Sequence, residues 1–299
     1  MTTNQAASVL EIEDLHVEIH TAGRISPVLR GVSLSVQAGA VHALVGESGG
    51  GKSMVARAAT GLLPRGARIV RGRILLAGQD VTHWREAQWR RVRGSVVSMV
   101  LQDPLTALNP VRRIGHQVAD VLRLHRGLRG AELERELLEL LRRVHLRDPE
   151  RVLAQYPHEL SGGMRQRVVI AMAWACRPSV ILCDEPTTAL DVTVQKEVLR
   201  LIHELARGGQ GVLLVTHDLG VVAKMARTMS VIHTGRILEE GPVADVYANP
   251  AHEYTRALLA ATPRFDRPGH TLLPVDDAMI ARLQAEAAAL DRVKEGAAP

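Results

Sequence analysis

The chain has 299 residues, 46% of them hydrophobic and 23% charged, enough apolar material for one large or two modest packed domains and not the composition of a disordered protein. Aromatics are only 2%, so aliphatic packing must build the core, and a chain with one Phe, three Tyr and three Trp is poorly equipped for the stacked-base platforms of single-strand binders. The net charge is +5, but 33 arginines against 4 lysines are spread along the chain, the pattern of a solvated surface rather than of a nucleic-acid-binding tail.

Met1 to Gln5 lacks the basic and apolar regions of a secretory signal. The longest apolar run, Val168 to Cys176, is nine residues, far short of a membrane span. A soluble, cytoplasmic chain is expected, with any membrane role supplied by a partner. Cys176 and Cys183 lie in apolar sequence without CxxC spacing and read as core thiols.

In chain order, Val9 to His20 alternates apolar and polar residues and predicts a strand; Thr21 to Arg24 is a turn, and Val28 to Val36 predicts a second strand. Ala40 to Val45 is a short apolar run ending at Gly46, as expected of a strand buried on both faces of a parallel sheet. The next eight residues, Gly46, Glu47, Ser48, Gly49, Gly50, Gly51, Lys52 and Ser53, match GxxxxGK[ST] in full. Glycines let successive backbone N–H groups curl round phosphate oxygens, the lysine reaches the terminal phosphates, and the hydroxyl of Ser53 is suited to ligate Mg²⁺. A helix-forming run, Ser53 to Leu63, follows as the motif requires.

Further strands are predicted at Ile69 to Leu76 and Val96 to Leu101, with a short, exposed, charge-rich helix between them at Trp84 to Arg93. Gln102 opens a loop marked by Pro104, Asn109 and Pro110. From Ile114 to His145 apolar residues recur at helical spacing (Val118, Val121, Leu122, Leu124, then Leu133, Leu137, Leu138, Leu141, Val144), with Gly127 and Gly130 separating two helices. Arg123, Arg126, Arg142 and Arg143 read as the wet face of this insert.

Leu160 to Arg167 (LSGGMRQR) follows. Ser161 is a good N-cap for a helix running from Met164 to Ala175, and Gly162 and Gly163 allow close approach of another group. A glycine-flanked helix N-terminus is suited to an anion. Val180 to Cys183 is a buried strand that ends in Asp184 and Glu185, where open α/β sheets bind ligands. Asp184 suits a water-mediated Mg²⁺ contact, and Glu185 can align and deprotonate a water. A helix from Val192 to Ala206, a turn at Gly208 to Gly211 and a strand from Val212 to Val215 complete a right-handed crossover, so His217 must emerge on the edge that carries Asp184 and Glu185. Strand segments at Val231 to His233 and Arg236 to Gly241 and two short helices, Val243 to Ala248 and Glu253 to Ala261, close the compact part. Pro263 to Pro274 reads as a linker and Asp276 to Val293 as an amphipathic helix.

With Gly46–Ser53, Gln102, Leu160–Gln166, Val180–Glu185, Ala189-Leu190-Asp191 and His217 all in this order, the chain resembles the nucleotide-binding subunit of an ABC transporter over roughly residues 8 to 265. The stretches beginning at Gln102, Tyr156, Asp184 and His252 are similar to those of the oligopeptide/dipeptide/nickel importer ATPases. The resemblance implies a P-loop NTPase core with a parallel sheet, an antiparallel β subdomain and a helical insert: core at 1–102 and 176–265, helical subdomain with the signature at 103–175, linker and C-terminal helix at 266–299. By the resemblance Glu185 is the catalytic base, His217 the switch histidine and Gln102 the sensor of Mg²⁺ and the membrane subunits. Ser161, Gly162 and Gly163 cap the γ-phosphate held by a facing subunit, and Asp191 lies in the loop that couples the two sites. ATP and Mg²⁺ are the implied ligands, with Ser53, Gln102 and Asp184 (through water) about the metal. The implied partners are a second ATPase subunit, a copy or a paralogue, two membrane permeases and an extracytoplasmic solute-binding protein, at the cytoplasmic face of the membrane and with no nucleic acid. No aromatic stands where the family often stacks adenine; His20 and Ile25 are nearest. No cysteine follows Cys183, which excludes the C-terminal iron–sulfur site of some peptide-importer ATPases. A soluble ABC ATPase acting on nucleic acid or ribosomes is the alternative, but only 107 residues separate Ser53 from Ser161, too few for long coiled-coil arms.

Overall fold

The computed structural model describes residues 7–188, 190–262 and 276–296; the expected linker, Pro263 to Pro274, lies outside them. The strands are β1 (Ser8–Thr21), β2 (Arg24–Gln37), β3 (Val41–Val45), β4 (Ala67–Leu76), β5 (Gln79–Asp80), β6 (Val97–Val100), β7 (Val180–Asp184), β8 (Gly211–Thr216), β9 (Thr228–His233) and β10 (Arg236–Pro242). The helices are α1 (Lys52–Ala59), α2 (Glu86–Val92), α3 (Pro104–Ala107), α4 (Ile114–Arg126), α5 (Gly130–Arg143), α6 (Pro149–Ala154), α7 (Gly162–Trp174), α8 (Val192–Arg207), α9 (Leu219–Met225), α10 (Val243–Ala248), α11 (Glu253–Ala260) and α12 (Asp277–Gly296).

Two sheets organise these elements. One is antiparallel, in the order β2-β1-β4-β5; the other has the order β10-β9-β3-β8-β7-β6. In the second sheet β9, β3, β8, β7 and β6 run parallel, and only β10 is antiparallel, at the edge. The parallel sheet, antiparallel β unit and helical insert expected from the resemblance are all present. Every residue of β3, β7 and β8 is buried, which explains why these segments read as unbroken apolar runs. Alternation governs β1 instead: Leu10 and Ile12 face the core, the pairing slips between Ile12 and Leu15, and Leu15 and Val17 then face it. Asp14, at φ 46°, lies in that bulge and shifts the pattern by one residue.

One apolar cluster joins the antiparallel sheet to the parallel one through α1, with Leu15, Val32, Val55, Leu182 and Val215 among its members. A second fills the space between the sheet and the helices α4 to α8. A third, around Val222, Met229, Val246, Tyr254 and Leu283, fastens the C-terminal helices to β9.

Several expectations need correction. Helix α1 stops at Ala59 rather than Leu63, because the Thr60 hydroxyl bonds back to the Ala56 carbonyl (3.0 Å) and Gly61 turns left-handed at φ 65°. Helix α2 is not wholly exposed: Trp89 is buried, edge-on to Trp84 and beneath the Arg93 guanidinium. Leu124, counted on the apolar face of the insert, is 79% exposed. The four arginines do lie on the wet face, three exposed and Arg143 half-buried, and each pairs with an acid: Arg123 with Asp120, Arg126 with Glu136, Arg142 with Glu150 and Arg143 with Glu139. The short helices α3, α6 and α9 were not anticipated. Cys183 is buried, its thiol pushed up to about 12 by burial, and both cysteines are free thiols. Among the described residues no helix is long and apolar enough to cross a membrane.

Candidate nucleotide site

The strand order brings the chemistry-bearing residues together. The phosphate loop follows β3, Asp184 ends β7, His217 follows β8 and Gln102 lies just beyond β6, all at the carboxyl ends of parallel strands. Packing holds the loop tightly against its neighbour. Gly46 has φ 157°, and a Cβ there would fall 2.1 Å from the Ile232 carbonyl oxygen, so no other residue fits. Behind the loop the Gly235 N–H donates to the Gly50 carbonyl at 2.9 Å.

Lys52 is 4% exposed, and its Nζ donates to the carbonyls of Gly46 (2.8 Å) and Glu47 (2.9 Å). Burial lowers its pKa, while Glu185, Asp184 and Glu47 act to raise it. The Ser53 hydroxyl donates to Asp184 Oδ1 at 3.0 Å. Burial raises the Asp184 pKa, as does the nearby Glu185 charge; the Ser53 hydrogen bond opposes both.

Glu185 is the hub of this edge. Its backbone takes φ 47°, unusual for a residue with a Cβ, and is pinned by its own N–H donating to the Val215 carbonyl at 2.9 Å. Its carboxylate accepts from Gln102 Nε2 (3.4 Å) and from the Thr188 hydroxyl (3.0 Å). Lys52 Nζ lies 3.9 Å from the other oxygen and His217 Nδ1 3.4 Å from it. Lys52, Ser53, Gln102, Asp184, Glu185 and His217 therefore form one connected cluster. Thr188 belongs to it as well and was missed; its only signal was its place three residues after Glu185. The set contains a buried cation, Lys52, suited to phosphate oxygens, a hydroxyl–carboxylate pair of oxygen donors, Ser53 and Asp184, and a second carboxylate, Glu185, held by Gln102 and Thr188.

Ser161, Gly162 and Gly163 stand apart. Among the described residues no hydrogen bond or ion pair joins them to Lys52, Ser53, Asp184 or Glu185. Ser161 caps α7 as expected, accepting from Met164 N at 3.3 Å. Asp191 caps α8 by accepting from Thr193 N and Val194 N. The α8 cap and the α7 start meet where Val194 packs on Gly163. His20 and Ile25, the two residues nearest the expected adenine position, are paired across β1 and β2; Ile25 is exposed and His20 bonds Glu18.

Comparison with known proteins agrees with this geometry. The family described as "ABC transporter" matches residues 29–188, and "Oligopeptide/dipeptide transporter, C-terminal region" matches residues 238–287. The chain is 43% identical over 270 residues to the dipeptide transport ATP-binding protein DppD of Bacillus subtilis, covering 90% of this chain and 81% of that one. It is 46% identical over 268 residues to the probable D,D-dipeptide transport ATP-binding protein DdpD of Escherichia coli, covering 89% and 81%. The dimeric, ADP- and phosphate-bound post-hydrolysis structure of the ATP-binding cassette MJ0796 matches with a TM-score of 0.69 at 25% identity, covering 78% of this chain and 98% of that one.

Proposed function

The chain belongs to the ABC transporter ATPases, and from that premise we propose that it powers an importer of dipeptides, oligopeptides or a related solute such as nickel. As an ABC ATPase it binds and hydrolyses ATP, and cassettes of this kind act as dimers within transporter complexes that contain permeases. The observation that carries the import reading is the match of residues 238–287 to the oligopeptide/dipeptide transporter C-terminal region, joined to a complete ATPase site. The alternative, a soluble ABC ATPase acting on nucleic acid or ribosomes, has no comparable support.

We assign the ATPase core to 1–102 and 176–265, the helical subdomain to 103–175, and the linker and C-terminal helix to 266–299. The backbone N–H groups of Gly46 to Ser53 cradle the ATP phosphates, and Lys52 neutralises their charge. The Ser53 hydroxyl and the Asp184 carboxylate, 3.0 Å apart, are oxygen donors that suit a hard cation, and a dication beside Asp184 offsets the cost of burying its charge. Bound there, with Gln102 near it, Mg²⁺ supplies charge stabilisation to the phosphate oxygens.

Glu185, oriented by Gln102 and Thr188, aligns a water for in-line attack on the γ-phosphorus and takes its proton. His217 reaches the γ-phosphate from the neighbouring strand end. Ser161, Gly162 and Gly163, at the capped start of α7, would meet the γ-phosphate bound by the facing subunit, with Asp191 coupling the two sites. That subunit is a copy or a paralogue, and the assembly sits at the cytoplasmic face of the membrane beneath two permeases fed by an extracytoplasmic solute-binding protein.

Co-purification of the membrane complex, with identification of its binding protein and that protein's ligand, tests this reading. Recovery with two permeases and a peptide-binding protein is the expected result. Salt-sensitive binding to DNA or RNA with no associated permease would favour the alternative. Full-rate hydrolysis by a monomer would refute the shared sites.

A further inference from the structure

The phosphate loop is gripped from a second direction, by the C-terminal helices. Tyr254, in α11, is wholly buried. Its phenol oxygen accepts the backbone N–H of Glu47 at 3.3 Å, across 207 positions of sequence. Burial and the Glu47 charge push the phenol's pKa up to about 12, so it stays protonated. Its ring lies 4.5 Å from that of His233, at the end of β9 and next to the turn that supports Gly50.

The start of α11 is itself held firmly. Glu239 of β10 accepts the backbone N–H groups of Ala251 (2.8 Å) and His252 (2.9 Å), and His252 Nδ1 accepts that of Tyr254 at 3.1 Å. Helix α12 buries Leu283 in the cluster that contains Tyr254, and Arg282 pairs with Glu253.

Glu47 is thus held on both sides of its backbone. Tyr254 takes its N–H, while its carbonyl and that of Gly46 receive the Lys52 ammonium. The position of that ammonium follows the loop backbone, and the loop backbone at Glu47 follows Tyr254. We propose that Tyr254 is a positioning residue for the phosphate loop, through which the C-terminal helices set the affinity for ATP. This rests on the loop being the ATP site. It assigns Tyr254 no contact with nucleotide and no part in proton transfer, so the effect falls on binding and not on the chemical step.

The test compares Tyr254→Phe with Tyr247→Phe in the full chain. The first keeps the buried ring and removes only the hydroxyl. The second removes a half-buried hydroxyl of the same C-terminal region that donates to the Leu219 carbonyl and not to the phosphate loop. ATP affinity is measured by titration, and KM and kcat by phosphate release. Tyr254→Phe is expected to weaken ATP binding and raise KM by roughly three- to tenfold, the weight of one hydrogen bond, with kcat within about twofold of wild type. Tyr247→Phe is expected to leave both constants unchanged. Wild-type constants in Tyr254→Phe, or equal losses in the two variants, would overturn the proposal. A wild-type chain that fails to bind ATP would instead overturn the assignment of the loop itself.

Discussion

Gly163 and Val194 are packed so closely that a Cβ on Gly163 would lie 2.3 Å from Val194 Cγ1. The small residue at the start of α7 is therefore required by α8 of the same chain. Gly162 is different, because a Cβ there meets only Leu190, at an ordinary 3.7 Å. Gly163→Ala is expected to destabilise the fold by about 1–3 kcal/mol through overpacking, and Val194→Ala in the same chain to restore most of that loss. Urea denaturation of the single and double variants measures both. Failure of Val194→Ala to restore stability would show that the clash lies elsewhere.

Buried His42 gives the fold a defined acid sensitivity. In β3 its Nδ1 lies 2.8 Å from the Thr228 hydroxyl and its Nε2 2.9 Å from that of Ser230, and burial lowers its pKa from 6.5 to about 4. Between those values the unfolded chain holds the proton and the folded chain does not, so stability falls as pH drops from 6.5 towards 4. The full effect is about 3 kcal/mol. Unfolding free energies across this window should show a shallower slope in His42→Gln than in wild type; equal slopes would contradict the assignment.

The anchoring of α12 is also testable. Arg30 of β2 donates from Nε (3.0 Å) and Nη2 (2.9 Å) to Asp291, and from Nη1 to the Thr234 carbonyl at 2.6 Å. Arg30→Ala should cost ~1 kcal/mol and speed amide exchange in residues 283–291. Unchanged protection there would mean that the other contacts of α12, such as buried Leu283 and Ala287 and the Arg282–Glu253 pair, hold the helix without Arg30.

Local patterns carried most of the reading. The phosphate loop declares itself by spacing and by the buried strand before it, and Asp184 and Glu185 by two charges directly after four apolar residues. The shared edge is legible because parallel crossovers have one hand, which places His217 on the edge that carries Asp184 and Glu185; its Nδ1 lies 3.4 Å from Glu185. Contacts remote in sequence were not legible. Nothing around Tyr254 signals that its hydroxyl meets Glu47, and nothing around Gly163 signals Val194. The arginines flanking Trp89 suggest an exposed helix, and most of α2 is exposed, but the single ring of Trp89 is buried and anchors it. The helix at Leu219–Met225 is only seven residues long, so its periodicity is too short to read.

Glu185 carries the chemical claim, and one substitution isolates it. Glu185→Gln keeps the shape of the side chain and its place beside Thr188, while removing the charge proposed to take a proton from water. The variant should bind ATP as wild type does and lose turnover by at least ~100-fold, as expected when a general base is removed. ATP binding and phosphate release, measured side by side on the two proteins, decide the matter. Unchanged hydrolysis in Glu185→Gln would contradict the account.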